Sequence, residues 1–424
     1  MRDLWSLVPG DSHGDRKNFL INTVEGALFV GSAAFINPQT VLPALVKALG
    51  GSNIAVGALG VLVYAGVYFP QIFAARYVET IPWKKRWALG FGGTHRAFVL
   101  ILAFVILFLG GNRPSIALWL FFFLFTAMQV VIGIATPGWF DLFAKVTHPR
   151  MRGRLVGLRN SLGGVCAFVC GLCLTWVLAT FAFPASFAIV FFAAFVLQMA
   201  SWAAQTGFEE AEPSVVSPRR PFFTFLRELP LVLHSNPPFR RFITACAMLT
   251  FATMPVSFFT VYALERFHAD ESAIGEFTLI MVAIQVVSAL VTGYLADRHG
   301  NKSSLLVASV SLLGASITAL AAPTLGWFRL VYLLLGINLG TELMARYNMS
   351  IEYGPAGKRS TYVGLMNTLL APFYLSGMIG GVLSEWFGLQ AVFLLGGLSS
   401  VAGITYLVRR VRDPRTIVVQ ETRA

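Results

Sequence analysis

Twelve apolar stretches recur along the chain, each near or above the roughly 20 residues that a helix needs to cross a bilayer. They fall at 19–46, 54–75, 87–109, 115–138, 156–181, 185–206, 242–264, 273–296, 303–322, 327–349, 361–385 and 389–408. A single water-soluble core cannot hide that much apolar surface. Of the 424 residues, 56% are hydrophobic and 12% charged, and the mean hydropathy is +0.70. A soluble domain carries roughly 25% charged residues. A soluble enzyme, a nucleic-acid binder and a disordered scaffold are excluded as readings of the whole chain. The expected fold is an all-α integral membrane protein with twelve transmembrane helices. Pro38 and Pro43 in span one predict that its outer end is bent or partly unwound.

The net charge is +12, and the cations lie between the apolar runs. With the N-terminus placed in the cytoplasm, 27 of the 32 Lys and Arg fall in inner segments; only Lys47, Arg113 and Arg266 fall outside. This asymmetry predicts cytoplasmic N- and C-termini. It also points the basic surface at an anionic inner leaflet and not at nucleic acid. The opening MRDLWSLVPGDSHGDRKN lacks the apolar core of a cleaved signal peptide, so span one is expected to direct insertion. Short loops and no organelle signal point to a bacterial inner membrane. Cys166, Cys170 and Cys173 share one face of span five, which invites a soft-metal reading. No His or Met accompanies them by spacing, so helix packing is their expected role. With Cys246 also in an apolar stretch, neither a disulfide framework nor a zinc site is legible. No metal or cofactor is expected.

The longest non-spanning stretch, 207–241, divides a first half (1–206) from a second (242–424). Its opening GFEEAEPSVVSPRRP reads as a flexible cytoplasmic linker. The following FFTFLRELPLVLHSNPPFRR fits either a short helix on the inner membrane surface or a linker that touches lipid. The halves also resemble each other: VGLRNSL begins at Val156 and VGLMNTL at Val363, 207 residues apart. Each follows a basic loop containing proline and opens a Gly-rich helix. Duplication, giving two six-helix pseudo-repeated lobes, explains the match better than chance.

Between spans eight and nine the chain reads Gly293-Tyr294-Leu295-Ala296-Asp297-Arg298-His299-Gly300-Asn301-Lys302. Gly293 permits close helix approach, and Asp297 suits a neighbouring helix N-terminus. Gly300 allows a tight turn, and Arg298 and Lys302 hold the loop on the cytoplasmic side. This segment closely resembles the G-x-L-a-D-R-x-G-x-[KR] loop of the major facilitator superfamily, which occurs between helices two and three and again between eight and nine. In the first half the equivalent loop keeps Arg76 and its lysines, but Ala75 stands where Asp is expected, with Glu79 nearby. The resemblance implies a two-lobed bundle alternating between inward-open and outward-open states. It also implies a mid-membrane site between the lobes, lined by spans one, four, seven and ten. By the same resemblance, Arg76 is paired with Asp141, and Asp297 with the start of span eleven near Arg359, as gating contacts. The alternative is ordinary interfacial charge.

An ionisable group within a span costs about 2.5–3.5 kcal/mol, so each such group needs a reason. Glu25 shares a face of span one with Asn22 and Asn18. Arg96 sits inside span three beside His95. Asn338, Glu342 and Arg346 recur every four residues on span ten as one polar stripe. One reading places Glu25 and Glu342 in the cavity, where a desolvated carboxyl carries a coupling proton. The other makes Glu342 a structural i,i+4 partner of Arg346 and Glu25 a cap-like or interlobe hydrogen-bond acceptor. Arg96 fits a structural salt bridge within the first lobe or a substrate contact. Gln39 beside Pro38 and Gln129 on span four either join helices or bind a polar solute. The Met254-Pro255 step predicts a kink in span seven.

No nucleophile elbow, P-loop, metal signature or Rossmann glycine pattern lies in a suitable loop, so no enzyme is expected. Without an ATP-binding motif, uphill transport must draw on an ion gradient. The resulting expectation is a monomeric secondary active or facilitative transporter of a small organic solute, working by alternating access and coupled to protons. Alternatives are a multidrug or lipid exporter, and a non-transporting assembly factor or sensor on the same fold.

Overall fold

A computed structural model describes residues 13–148, 151–213, 233–354 and 359–414, apart from the side chains of His13, Ile72 and residues 359–361. All regular structure in them is helical. Eleven helical segments are long and apolar enough to cross a membrane. Span one is the twelfth: His13–Ser32, a non-helical stretch, then Val41–Ala48. It carries Asp15, Arg16, Lys17 and Glu25, and it packs between spans five and six.

The remaining first-half spans are Asn53–Val78, Lys84–Leu109, Pro114–Val146, Arg152–Thr180 and Ala185–Thr206. Span seven is Pro237–Phe251, a tight 3-10 turn at Met254–Ser257, then Phe259–Phe267. Spans eight to ten are Ser272–His299, Asn301–Ala321 and Leu325–Tyr353. Span eleven is Arg359–Leu370, a 3-10 turn at Ala371–Leu375, then Ser376–Phe387; span twelve is Leu389–Arg410. The helix starts have local causes. Ser52, Asn236 and Thr324 side chains accept from Ala55, Phe239 and Trp327 backbone N–H groups, filling donors that a first turn leaves free. The three interrupted spans break at Pro38, Pro255 and Pro372, where a ring without an N–H cannot continue the ladder.

The two halves pack by one rule. In the first, span one lies on five and six, two on four, and three on four and six. In the second, span seven lies on eleven and twelve, eight on ten, and nine on ten and twelve. These principal contacts recur with every number raised by six, giving two six-helix pseudo-repeated lobes.

Two crossings join the lobes, span two on eleven and span five on eight. Glycine makes both possible. A Cβ on Gly57 would overlap the carbonyl of Gly377, and one on Gly377 the carbonyl of Gly57. Gly275 and Gly164 abut Thr175 and Val286 in the same way. Further polar links lie on the side away from the termini. Thr40 and Thr278 hydroxyls are 2.6 Å apart, Thr260 Oγ1 donates to the Gln39 carbonyl (3.0 Å), and Lys47 Nζ lies 3.0 Å from Glu265 Oε1. Nearer the termini, spans five and eight diverge: nothing lies within 4 Å of a Cβ built on Gly157 or Gly293. Gly293 therefore corrects the expectation of close helix approach, since in this state it faces open space.

The expected surface helix falls largely on 214–232, outside the described residues. The chain just before it folds back on the first lobe. Glu209 meets Lys17 and Asn18, and Glu210 accepts from the Lys84 and Lys85 N–H groups at the start of span three, both at 2.9 Å.

Candidate functional site

The proline breaks and the crossing of spans two and eleven border a cavity of about 230 Å³ between the lobes. Gln39 enters from span one, Tyr64 and Tyr68 from span two, Gln285 from span eight, and Asn338, Glu342 and Arg346 from span ten. Tyr374 enters from the unwound turn of span eleven and stacks on Tyr64, ring centroids 4.0 Å apart.

Among the described residues, the polar stripe of span ten holds the only carboxylate and the only cationic side chain lining this cavity. Arg346 Nε and Glu342 Oε1 form an ion pair one helical turn apart, and Arg346 Nη1 donates to Thr250 Oγ1 on span seven at 2.8 Å. The two charges are not equally accessible. The Glu342 side chain is 22% exposed and the Arg346 side chain 4%, so the carboxylate stands in front and the guanidinium behind. Asn338 lines the same wall while its Nδ2 donates to the Ala308 carbonyl of span nine at 2.9 Å.

Gln39, Asn338, Glu342 and Arg346 thus come together, whereas Glu25, Asn22, Arg96 and Gln129 do not line this cavity. Gln129 packs span four on span two and donates to the Val63 carbonyl (3.4 Å). Glu25 faces inward within the first lobe. Its Oε2 meets Arg159 Nη1 at 2.5 Å, and its Oε1 accepts from Gln205 (2.7 Å) and Ser201 (3.3 Å). Asn22 Oδ1 accepts from the same Arg159 Nη1 at 2.8 Å. Arg96 forms no salt bridge among the described residues; it donates to the Gln198 and Gly92 carbonyls, both at 2.6 Å. Asn22 and Glu25 lie on the face of span one that meets spans five and six, and Arg96 on the face of span three that meets span six, not at the lobe interface. Sequence reasoning missed Arg159, which reads as an inner-loop cation, and the tyrosines of the cavity wall, which in apolar sequence look like packing.

The gating expectations divide. Asp141 lies 3.6 Å from Lys84 Nζ and does not pair with Arg76, because Lys84 at the start of span three is nearer to that end of span four. The side chain of Arg359, expected opposite Asp297, lies outside the described residues. Arg298 stacks over Tyr294 at 4.6 Å. Gly300 makes the turn between spans eight and nine at φ +84, and a Cβ there would strike the Asp413 carboxylate. Lys302 Nζ donates to the Val408 carbonyl at 3.3 Å, binding the loop to span twelve.

The Major Facilitator Superfamily model matches residues 26–371 and 242–423. The chain is similar to the 4-hydroxybenzoate transporter PcaK of Acinetobacter baylyi, 28% identical over 160 residues, 36% of this chain and 34% of that protein. It is also similar to the niacin transporter NiaP of the same organism, 26% identical over 137 residues, 30% and 31% of the two chains. A multi-drug resistance efflux pump PmrA homolog of Lactococcus lactis is 32% identical over 110 residues, 26% of this chain and 27% of that one. The chain thus matches about a third of the length of these curated relatives. Among solved structures, a mutant of the nucleoside transporter NupG aligns with a TM-score of 0.70 at 12% identity, covering 92% of this chain and 99% of the other. A D-xylose-proton symporter aligns at 0.66 and 13%, covering 94% and 98%. At such identity the likeness is one of fold.

Proposed function

The chain belongs to the Major Facilitator Superfamily, a family of transporters and not of enzymes, and on that premise we propose that it carries small aromatic carboxylates across a bacterial inner membrane by alternating access, coupled to protons. The carrying observation is the Glu342–Arg346 pair set in a tyrosine-walled cavity between the lobes. A guanidinium matches a carboxylate bidentately, and the Tyr64–Tyr374 platform offers a face for an aromatic ring. Gln39 and Gln285 supply amides for ring hydroxyls or a ring nitrogen. The names of the relatives PcaK and NiaP point to the same chemistry. Glu342 gives the coupling. A proton on its carboxyl frees Arg346 for the substrate anion, so proton and substrate load together.

In this reading the termini are cytoplasmic, the two lobes and the 207–241 linker act as separate units, and a monomer suffices. The divergence of spans five and eight toward the termini then corresponds to an inward-facing state. A second reading, multidrug export, draws on the likeness to PmrA and on the aromatic walls.

Purified protein in liposomes distinguishes them. Uptake of labelled 4-hydroxybenzoate is expected to follow an inside-alkaline pH gradient. Nicotinate should compete and neutral 4-hydroxybenzyl alcohol should not. Indifference to carboxylates, with flux of lipophilic cations instead, would favour the exporter. No flux of either class would move the reading to a non-transporting membrane factor.

A further inference from the structure

The first lobe encloses a second cavity, of about 220 Å³, that shares no lining residue with the interlobe cavity. Arg96, His95, Arg159, Glu25 and Gln205 form its polar side, and Phe29 and Trp139 stand among its aromatic walls. Its charges do not balance. Arg96 and Arg159 contribute two positive charges against one negative charge from Glu25, the only carboxylate on its wall. Glu25 is already paired with Arg159. Arg96, 1% exposed, donates only to the Gln198 and Gly92 carbonyls and, at 3.4 Å, to the Ser201 hydroxyl. The Glu25 carboxylate also acts on Arg96 through space, but one carboxylate shared by two guanidiniums leaves a net positive charge, which is costly at membrane depth.

A second observation points to a ligand. His95 is 6% exposed; its ring approaches the Phe91 carbonyl one turn back on its own helix, and neither Nδ1 nor Nε2 makes a well-formed hydrogen bond among the described residues. Gln205 Oε1 is likewise without one; as an acceptor it calls for a donor such as water and not for an anion. Native interiors rarely leave such groups unpaired. Water has room here, since a cavity needs only about 10–15 Å³ to hold one molecule. Water answers the hydrogen bonds and leaves the charge.

We propose that this cavity is a binding site for a small monovalent anion, seated between Arg96 and His95, with Phe29 and Trp139 closing its apolar side. The guanidinium lies 5.7 Å from the Phe29 ring and that of Arg159 4.7 Å from the Trp139 ring, so both cations are held by aromatic faces while N–H groups remain for the anion. A halide and a small carboxylate carry the same chemistry, and the test separates them.

The test uses full-length Arg346→Gln protein, whose central cavity lacks its cation, so that its outcome is independent of the transport reading. Its thermal midpoint is followed in separate titrations with sodium bromide, sodium benzoate and, at matched ionic strength, bulky sodium gluconate. A ligand that binds only the folded state raises the midpoint. The expected result is a saturable rise with bromide or benzoate, absent with gluconate and lost in Arg346→Gln/Arg96→Gln. The arm that responds identifies the source. No saturable rise in either arm, or a rise that survives Arg96→Gln, overturns the site. Should Arg96→Gln fail to fold, crystals of the unmodified protein grown in bromide decide. An anomalous peak between Arg96 and His95 supports the site; with no rise in the benzoate arm, its absence removes it.

Discussion

At the scale of single residues, the functional reading depends on which of two adjacent charges faces the cavity. Glu342 stands before Arg346, so the two make opposite predictions. Arg346→Gln removes a charged hydrogen-bonding partner, an interaction of about 1.5–3 kcal/mol, and substrate affinity is expected to fall roughly ten- to a hundredfold. Binding titration on detergent-purified protein measures this. Glu342→Gln leaves Arg346 permanently available, so substrate binding and counterflow between equal pools should persist while accumulation driven by a pH gradient disappears. Retained gradient-driven uptake in that variant would show that the coupling proton sits elsewhere. The stripe itself was legible in sequence because residues four apart share a helix face. The role of Glu25 was not. Being buried in span one does not say which neighbour the face meets, and here the face meets Arg159 and Gln205 of the same lobe. Tyr64, Tyr68 and Tyr374 carry no signal in a helix where aromatic residues are common; only the crossing of spans two and eleven brings them together.

At the scale of helices and turns, glycines set where the lobes touch. The sequence shows that spans five and eleven are Gly-rich but not which glycine is covered. Gly293, expected in a contact, is open, while Gly57 and Gly377 are pressed backbone to backbone. Gly57→Val or Gly377→Val should therefore separate spans two and eleven, because a carbonyl cannot move aside as a side-chain end can. Lowered thermal stability and increased cysteine labelling near Asn53 are the expected outcomes. Gly293→Ala should change neither, and an equal effect there would mean that the crossing is not set by these contacts. Gly300 is different again. Its φ of +84 with ψ 161 is a conformation that side-chain-bearing residues avoid, and the Asp413 carboxylate occupies the space of a Cβ. Gly300→Ala should cost about 1–3 kcal/mol, read as a lowered thermal midpoint with the fold retained. Here the family motif and the geometry agree, because the turn needs glycine at φ +84.

At the scale of the whole molecule, repetition is the feature that sequence reveals best and conformational state the one it cannot contain. Six helices packed by one rule, repeated with each number raised by six, follow from duplication. Which end of the lobe interface is closed depends on a few contacts of similar energy. One of these is titratable. Ser186 Oγ of the first lobe donates to Glu271 Oε2 of the second at 3.3 Å, at the side away from the termini. Burial pushes the Glu271 carboxyl above its ordinary 4.5, and the Ser186 hydrogen bond opposes that without cancelling it. The folded, closed arrangement therefore holds its proton more tightly than an open or unfolded one. Its contribution is complete below pH 4.5 and is lost as pH rises through the raised value. Acid should favour closure of this end, and Glu271→Gln, which keeps a neutral group in place, should hold it closed across the range. Spin labels at Gly111 and Gln390, exposed on the same side in opposite lobes, give the distance that decides. It should lengthen between pH 4.5 and 7 in the unmodified protein and stay short in Glu271→Gln. A distance independent of pH in both would assign closure to the other links on that side, the Gly57–Gly377 crossing, the Thr40–Thr278 and Thr260–Gln39 hydrogen bonds and the Lys47–Glu265 ion pair.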